Sequence, residues 1–393
     1  MRSNYSFLFL FSIAFSQTNF SSKKVISDAS NGAQDVYAID LDQDGDMDVL
    51  AASFSDNRIT FWENTGSTFE NRTITTSANG AYGVFAIDVD SDGDIDVLSA
   101  SWSDDKIAWY ENNGSESFTA RTITTSADAA LSVFAIDVDN DGDIDVLSAS
   151  HFDDKIAWYE NNGSESFTAR TITTSADNAR SVFAIDVDSD GDIDVLSASE
   201  ADGKIAWYEN NGSENFTEYT ITNSAGVQDV FATDIDFDGD IDVLSGSSGD
   251  DLIAWYENNG SQSFTARTIS TNADAHSVFA SDIDSDGDID VLSALYNNSE
   301  IDWFENTTTH PGSPNSFVPN TINTNELTYR SVYAEDIDLD GDMDILSASQ
   351  DDDKIAWYEN NGSESFTART ISTDCSEAYS VYAEDIDQDG DLD

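Results

Sequence analysis

Residues 84–126 read VFAIDVDSDGDIDVLSASWSDDKIAWYENNGSESFTARTITTS. Inside this stretch lies a nine-residue word, Asp88 to Asp96, with aspartate at every odd position and glycine at the sixth. The word occurs eight times, opening at Asp40, Asp88, Asp137, Asp186, Asp234, Asp282, Asp336 and Asp385, with spacings of 48, 49, 49, 48, 48, 54 and 49 residues. A catalytic constellation is normally written once, whereas an architectural unit is written in series. The word therefore marks both a repeat period and a metal site.

Four runs per repeat have strand composition. In the quoted stretch they are VFAIDV (84–89), DVLSAS (96–101), KIAWYEN (106–112) and FTARTITTS (118–126). Each is rich in Val, Ile, Thr or aromatic residues and is bounded by Asp, Asn, Gly or Ser turns. No segment has helical periodicity. Pro311, Pro314 and Pro319 fall together in the insertion that lengthens the sixth repeat. Four short strands at a period near 50 residues predict an all-β β-propeller of four-stranded blades. The chain carries seven complete repeats and the start of an eighth, which leaves a seven- or an eight-bladed ring open. Trp62, Trp109, Trp158, Trp207, Trp255, Trp303 and Trp357 recur in the third strand and are expected between blades. FSSKKVIS (20–27) resembles the fourth strand and is expected to be the last strand of a blade. The eighth repeat stops at the ninth position of its word, so the propeller, residues 17–393, is expected to be truncated at its C-terminus.

The chain has 78 acidic and 15 basic side chains and a formal net charge of -63. That balance excludes nucleic acid and anionic membrane surfaces as partners, because affinity for them rests on Lys and Arg. With 39% hydrophobic and 11% aromatic residues the chain still has the material for a core. Residues 1–16 read as a signal peptide, with Arg2 ahead of an apolar run Phe7–Phe15 and Ala14-Phe15-Ser16 at the cleavage site. An uncleaved anchor is the alternative, and no other segment predicts a membrane span. The expected localisation is secreted or cell surface. Cys375 is the one cysteine, so no intrachain disulfide can brace the exported fold.

Carboxylate oxygens suit a hard cation, and Ca²⁺ takes six to eight oxygens at about 2.3–2.6 Å. In each word the side chains at positions 1, 3 and 5, the carbonyl at 7 and the side chain at 9 are expected to converge, with the glycine at the bend. The candidate metal residues are Asp40, Asp42, Asp44, Asp46 and Asp48; Asp88, Asp90, Asp92, Asp94 and Asp96; Asp137, Asp139, Asp141, Asp143 and Asp145; and Asp186, Asp188, Asp190, Asp192 and Asp194. They continue with Asp234, Asp236, Asp238, Asp240 and Asp242; Asp282, Asp284, Asp286, Asp288 and Asp290; Asp336, Asp338, Asp340, Asp342 and Asp344; and Asp385, Asp387, Asp389, Asp391 and Asp393. One Ca²⁺ per loop, up to eight, is the expected load. An EF-hand would need Glu at position 12, where this word has Ser99. Zinc and copper would need His or Cys. Mg²⁺, with its smaller octahedral shell, is the weaker competitor.

On FAIDVDSDGDIDVLSAS and its copies, over roughly residues 20–393, the chain resembles the FG-GAP and VCBS repeat family, whose units also form integrin alpha heads. The resemblance implies a propeller with calcium in the loop between the first and second strands, display outside the cell, and adhesion or ligand binding more often than catalysis. Phe-Ala or Tyr-Ala mostly replaces the Phe-Gly pair that names the family.

Two registers diverge among otherwise near-identical repeats. After the second strand stand Phe54, Trp102, His151, Glu200, Ser248, Tyr296 and Gln350. Before the first stand Gln34, Tyr82, Leu131, Arg180, Gln228, His276, Arg330 and Tyr379. Both are expected on the rim opposite the metals, where a protein or glycan ligand would bind, or where exposed loop tips drift neutrally. His151, His276 and His310 read as solvated loop residues, since they fall in different registers without a nucleophile beside them. The NNGS segments read as Asn-Gly hairpin turns. Three functions remain open. The first is a non-catalytic calcium-stabilised adhesion or ligand-binding module, the second a lyase-like polysaccharide enzyme, and the third a structural envelope or matrix repeat protein.

Overall fold

The computed structural model describes residues 33–383 apart from 44–47, 65–68, 116, 165, 214, 262, 272, 284–286, 296–299, 308–316, 324–327, 338–341, 352–353, 361–364, 373–377 and 382. The expected signal segment, the strand at 20–27, Pro311, Pro314, His310, Tyr296 and the whole eighth word lie outside the described residues. Seven four-stranded antiparallel sheets, each in simple chain order, form the blades of a seven-bladed β-propeller. The blades span 33–75, 81–124, 130–173, 179–223, 227–270, 275–323 and 329–372.

The second blade shows how the sequence builds each unit. Its strands are Ala81–Ile87, Asp96–Ser101, Lys106–Glu111 and Thr119–Thr124. The second strand, DVLSAS, is buried at all six positions, since both of its faces meet a neighbouring blade. Its small Ser and Ala side chains allow that close approach, and the Ser99 hydroxyl meets the Tyr110 hydroxyl at 3.3 Å. The fourth strand is the solvent edge, and there the run TARTIT alternates polar side chains that discourage edge-to-edge pairing. Arg121 on that strand lies over the Trp109 ring, 5.2 Å from its centroid, and bonds Glu111 at 2.6 Å.

The seven third-strand tryptophans are all buried, at 0–3% exposure. Trp109, Leu98 and Ile107 of the second blade pack against Ala130, Val133, Val146 and Tyr159 of the third. The tryptophans therefore belong to the inter-blade core, as their spacing predicts. Nearer the axis, Tyr37, Phe85, Phe134, Phe183, Phe231, Phe279 and Tyr333 form a collar on the first strands, with successive centroids 5.2–6.0 Å apart. Beyond the seventh blade, Ala383 joins Ile337, Leu346 and Trp357 in a further cluster, so the eighth repeat begins packed on the seventh blade.

Two expectations are corrected. The first strand begins at Ala81, three residues earlier than its β-branched run, because its first pair to the second strand, Ala81 with Ser101, precedes a bulge at Tyr82. Pro319 does not lie in a loop insertion. It sits in the fourth strand of the sixth blade, paired with Phe304, where an outer strand tolerates a residue with no N–H.

Truncating Trp158 to alanine is expected to cost about 3–5 kcal/mol. A urea midpoint unchanged from the parent protein would show that the indole is not core.

Candidate metal centres

The aspartate word forms the loop between the first and second strands. Its fourth and sixth residues both take left-handed backbone, Ser91 at φ 60° and Gly93 at φ 98°. Gln43, Asn140, Ser189 and Phe237 repeat the first of these, and only the glycine was legible as a bend. The tight path turns backbone donors inward. Gly93 N–H donates to Asp88 at 3.0 Å, Asp92 N–H to Asp90 at 3.3 Å and Asp94 N–H to Asp92 at 2.9 Å.

Positions 1, 3 and 9 come together. Carboxylate oxygens of Asp88, Asp90 and Asp96 lie within 4.8 Å of one another, as do those of Asp40, Asp42 and Asp48, of Asp137, Asp139 and Asp145, of Asp186, Asp188 and Asp194, and of Asp234, Asp236 and Asp242. A cation about 2.4 Å from each oxygen fits a cluster of that width. Asp88 Oδ1, Asp188 Oδ1 and Asp236 Oδ2 are buried without a hydrogen-bond partner, as oxygens awaiting a cation are. The donor set is all oxygen, so a hard divalent ion fits it. Position 5 lies outside this group: Asp92, Asp141, Asp190 and Asp238 are exposed or accept the N–H of position 7. The side chain at position 7 lies against the turn after the third strand. A Cβ on Gly114 would stand 2.6 Å from the Asp94 carboxylate, and Gly163 meets Asp143 in the same way. In the first word Asp44 and Asp46 lie outside the described residues, as do Asp284 and Asp286 in the sixth and Asp338 and Asp340 in the seventh. Asp282, Asp288, Asp290, Asp336, Asp342 and Asp344 are described.

The ninth carboxylate does more than close a shell. Asp96 is fully buried, accepting Val89 N–H at 3.1 Å on one oxygen and Asn112 N–H at 2.7 Å on the other. Burial pushes its carboxyl up to about 7 against the pull of those N–H donors, and Asp145, Asp194 and Asp242 stand at the same value for the same reason. Asp236 rises to about 6 through burial and the neighbouring Asp238 charge. Burial and the facing carboxylates also raise Asp90, Asp139 and Asp188. Such an arrangement favours either protons or a cation.

The sequence places Asn112 where the third strand gives way to a hairpin turn. The structure buries it to 2% exposure and turns its amide to two carbonyls, Ile95 O of its own word at 3.0 Å and Leu41 O of the preceding blade's word at 3.3 Å. Asn161, Asn210, Asn258 and Asn360 repeat the clasp. The words also touch directly, for the Asn140 amide donates to Gly191 O of the next word at 3.1 Å.

The divergent residues gather on the opposite rim. Trp102 N–H bonds Gly80 O, His151 N–H bonds Ala129 O, and Gln350 N–H bonds Thr328 O, which seams the two registers together. The second register is not a loop ahead of the strand. In every blade one residue is skipped in the pairing of the first strand, and that bulged residue is Gln34, Tyr82, Leu131, Arg180, Gln228, His276 or Arg330. A bulge re-aims its side chain, and of these residues Leu131 is buried at 4% exposure rather than presented at the surface. Side chains of the two registers then pair: Arg180 with Glu200 at 3.0 Å, Gln228 with Ser248 at 3.2 Å and Arg330 with Gln350 at 2.8 Å. Phe54 stands beside Gly80, and Tyr379 lies under the Arg330 guanidinium at 4.7 Å. His276 is not a solvated loop residue. Its Nδ1 meets Arg330 at 3.0 Å, and burial together with Arg330 and Arg180 lowers its pKa to about 3.

Seven overlapping segments, 40–99, 88–148, 137–197, 186–245, 234–293, 282–347 and 336–393, match the model of the FG-GAP-like repeat, each opening on the first aspartate of a word. No curated protein matches the chain. Among solved structures, an Agrocybe aegerita lectin that recognises non-reducing terminal N-acetylglucosamine is similar at 17% identity, over 87% of this chain and 94% of that one, with a TM-score of 0.57. A protein from Lactobacillus plantarum matches at 13% identity over 85% and 98% of the two chains with a TM-score of 0.59. One from Desulfotomaculum acetoxidans matches at 12% identity over 84% and 96% with a TM-score of 0.56. At these identities the likeness is one of fold.

Two outcomes follow from the loops. The ninth carboxyls stand near 7 in the fold and near 4 when unfolded, so the metal-free fold keeps protons that the unfolded chain releases between those values. Its melting temperature in EDTA should therefore fall from pH 5 to pH 7.5, and a rise over that interval would contradict the assignment. Asn161→Ala should cost about 1–3 kcal/mol by leaving two carbonyls without their donor. The same change at its exposed neighbour Asn162 should stay within about 0.5 kcal/mol, as urea unfolding of the two variants will show.

Proposed function

The chain belongs to the FG-GAP-like repeat family, and on that premise we propose that it is a secreted or surface-displayed calcium-binding propeller. In this reading it recognises a protein or glycan ligand with the rim opposite its aspartate loops and catalyses nothing. The observation that carries the reading is the division between the rims. One repeats the same carboxylate cluster from blade to blade, while the other gives nearly every blade a different pair of side chains.

Calcium is the ion that best suits the loops. The clusters offer several carboxylates at a width that fits its oxygen distances, with backbone carbonyls close by. Export supports the same choice, because residues 1–16 have signal character and the medium outside a cell supplies the ion. The fold of the Agrocybe lectin supports ligand recognition by a propeller of this shape. Support for a non-catalytic role comes from the ionisable groups peculiar to single blades. Arg180 is bonded to Glu200 and His276 to Arg330, and burial keeps His276 too weak a base for proton transfer near neutral pH.

Chelation tests the metal. A site occupied at 100 times its dissociation constant adds about 2.7 kcal/mol, so EDTA should lower the melting temperature by many degrees and calcium should restore it. An unchanged melt would overturn the calcium assignment. For the role, the calcium-loaded protein is expected to bind an extracellular glycan or protein saturably and to lose that binding when Trp102, Arg180 and Arg330 are replaced together by alanine. New reducing ends or unsaturated products from polysaccharide would overturn the non-catalytic reading.

A further inference from the structure

Neighbouring aspartate loops are joined by hydrogen bonds that end on their carboxylate clusters. Asn140, the fourth residue of the third word, follows Asp139 of that word's cluster, and its exposed amide donates to Gly191 O of the fourth word at 3.1 Å. Gly191 N–H in turn donates to Asp186 of the fourth cluster at 3.0 Å. A second link returns through Asn210. Its backbone N–H donates to Asp194 of the fourth cluster at 2.7 Å, and its side-chain amide donates at 3.1 Å to Val138 O, between Asp137 and Asp139 of the third. Two separate links thus span the third and fourth loops.

The first and second loops are joined in the same way. The Gln43 side chain, next to Asp42, donates to Gly93 O, and Gly93 N–H donates to Asp88 at 3.0 Å. Asn112 makes the return, from Asp96 at 2.7 Å to Leu41 O at 3.3 Å. Other boundaries carry less. Ser91, Ser189 and Phe237 hold the fourth position of their words and have no amide to send forward. Between the second and third loops, and between the fourth and fifth, the described link is the clasp of Asn161 or Asn258.

We propose that the metal loops load in coupled pairs, the first with the second and the third with the fourth, so that a cation in one raises the affinity of its partner. This rests on the calcium reading above and adds a dependence between its sites. A cation that gathers repelling carboxylates also fixes the backbone that carries them. Fixing Asp137 and Asp139 fixes the Val138 carbonyl and the Asn140 amide between and beside them, and both are bonded to the fourth loop. The second cation then meets a loop that needs less ordering, which makes binding cooperative. The linkage is reciprocal, whichever loop fills first. Charge does not oppose it, because each word has five carboxylates against the two charges of a calcium ion, and a loaded loop stays formally anionic.

The test measures calcium bound by the EDTA-stripped full chain against free calcium, by flow dialysis. The parent chain is expected to fill with a Hill slope steeper than independent sites give. Replacing Gln43 and Asn140 together by serine should bring the slope down with the number of bound ions unchanged, a loss of coupling of about fivefold or more for each pair. Both residues are exposed and left-handed at φ 58°, the conformation that Ser91 and Ser189 hold at φ 60° and 59°, so the exchange keeps the fold and the melting temperature in EDTA. Ser91→Asn gives the second loop the amide that Asn140 gives the third, and should steepen the slope. Phe237→Ser removes no forward amide and should leave it as it is. A parent slope equal to that of independent sites, or one unmoved by the Gln43 and Asn140 exchange, overturns the coupling and leaves the calcium reading standing. Absence of calcium binding removes both.

Discussion

A carboxylate with no access to water must be neutral, paired or saturated with donors, and this chain places one at the ninth position of each of its first seven words. Asp96 meets the requirement with two backbone N–H groups from different turns, Val89 at the start of its own loop and Asn112 beyond the third strand. The pattern holds around the ring, with Asp48, Asp145, Asp194, Asp242, Asp290 and Asp344 accepting from the second residue of their own words. Each blade is thereby tied at one end by a single side chain, and the loop that would hold a cation takes its shape from that tie. Asn112 then carries the tie to the blade before it. With one cysteine in the sequence no disulfide can do this work.

Legibility followed chemistry that repeats. The four strands could be read because DVLSAS and KIAWYEN alternate with turn residues at each copy, and the buried tryptophans because the same letter returned at the same place. The divergence of Trp102, Arg180 and Arg330 from their counterparts in other repeats also pointed correctly to one rim. What escaped was any distinction between identical letters. Five aspartates in a word look equivalent, yet Asp92 is exposed while Asp96 is fully buried. Asn112 and Asn113 are adjacent and alike, but the first is a clasp and the second faces solvent, bonding Ser115 N–H. Only the backbone path, with left-handed turns at Ser91 and Gly93, separates them. The bulge at Tyr82 escaped for a similar reason, since strand composition says nothing of a skipped pair.

The two rims answer to different constraints. On the metal rim of the second blade Asp88, Asp90, Asp92 and Asp96 are positioned by N–H donors and Asp94 lies against Gly114, which leaves no room for a Cβ, so substitution there disturbs several turns together. On the other rim the backbone seams, such as Trp102 N–H to Gly80 O, hold the loops while leaving the side chains to vary. The bulge serves the same end, because it re-aims a side chain without altering the pairing of the strand below it. Diversity is thus confined to positions where the fold does not depend on it.

The asparagine clasps run in one direction. Asn112, Asn161 and Asn210 each reach back 71 or 72 residues to a carbonyl in the preceding blade's word, and none of these bonds points forward. Chains emerge from the ribosome N-terminus first, so a word remains without its clasp until the third strand of the following blade has been made. Each loop waits for one later residue before its clasp can close.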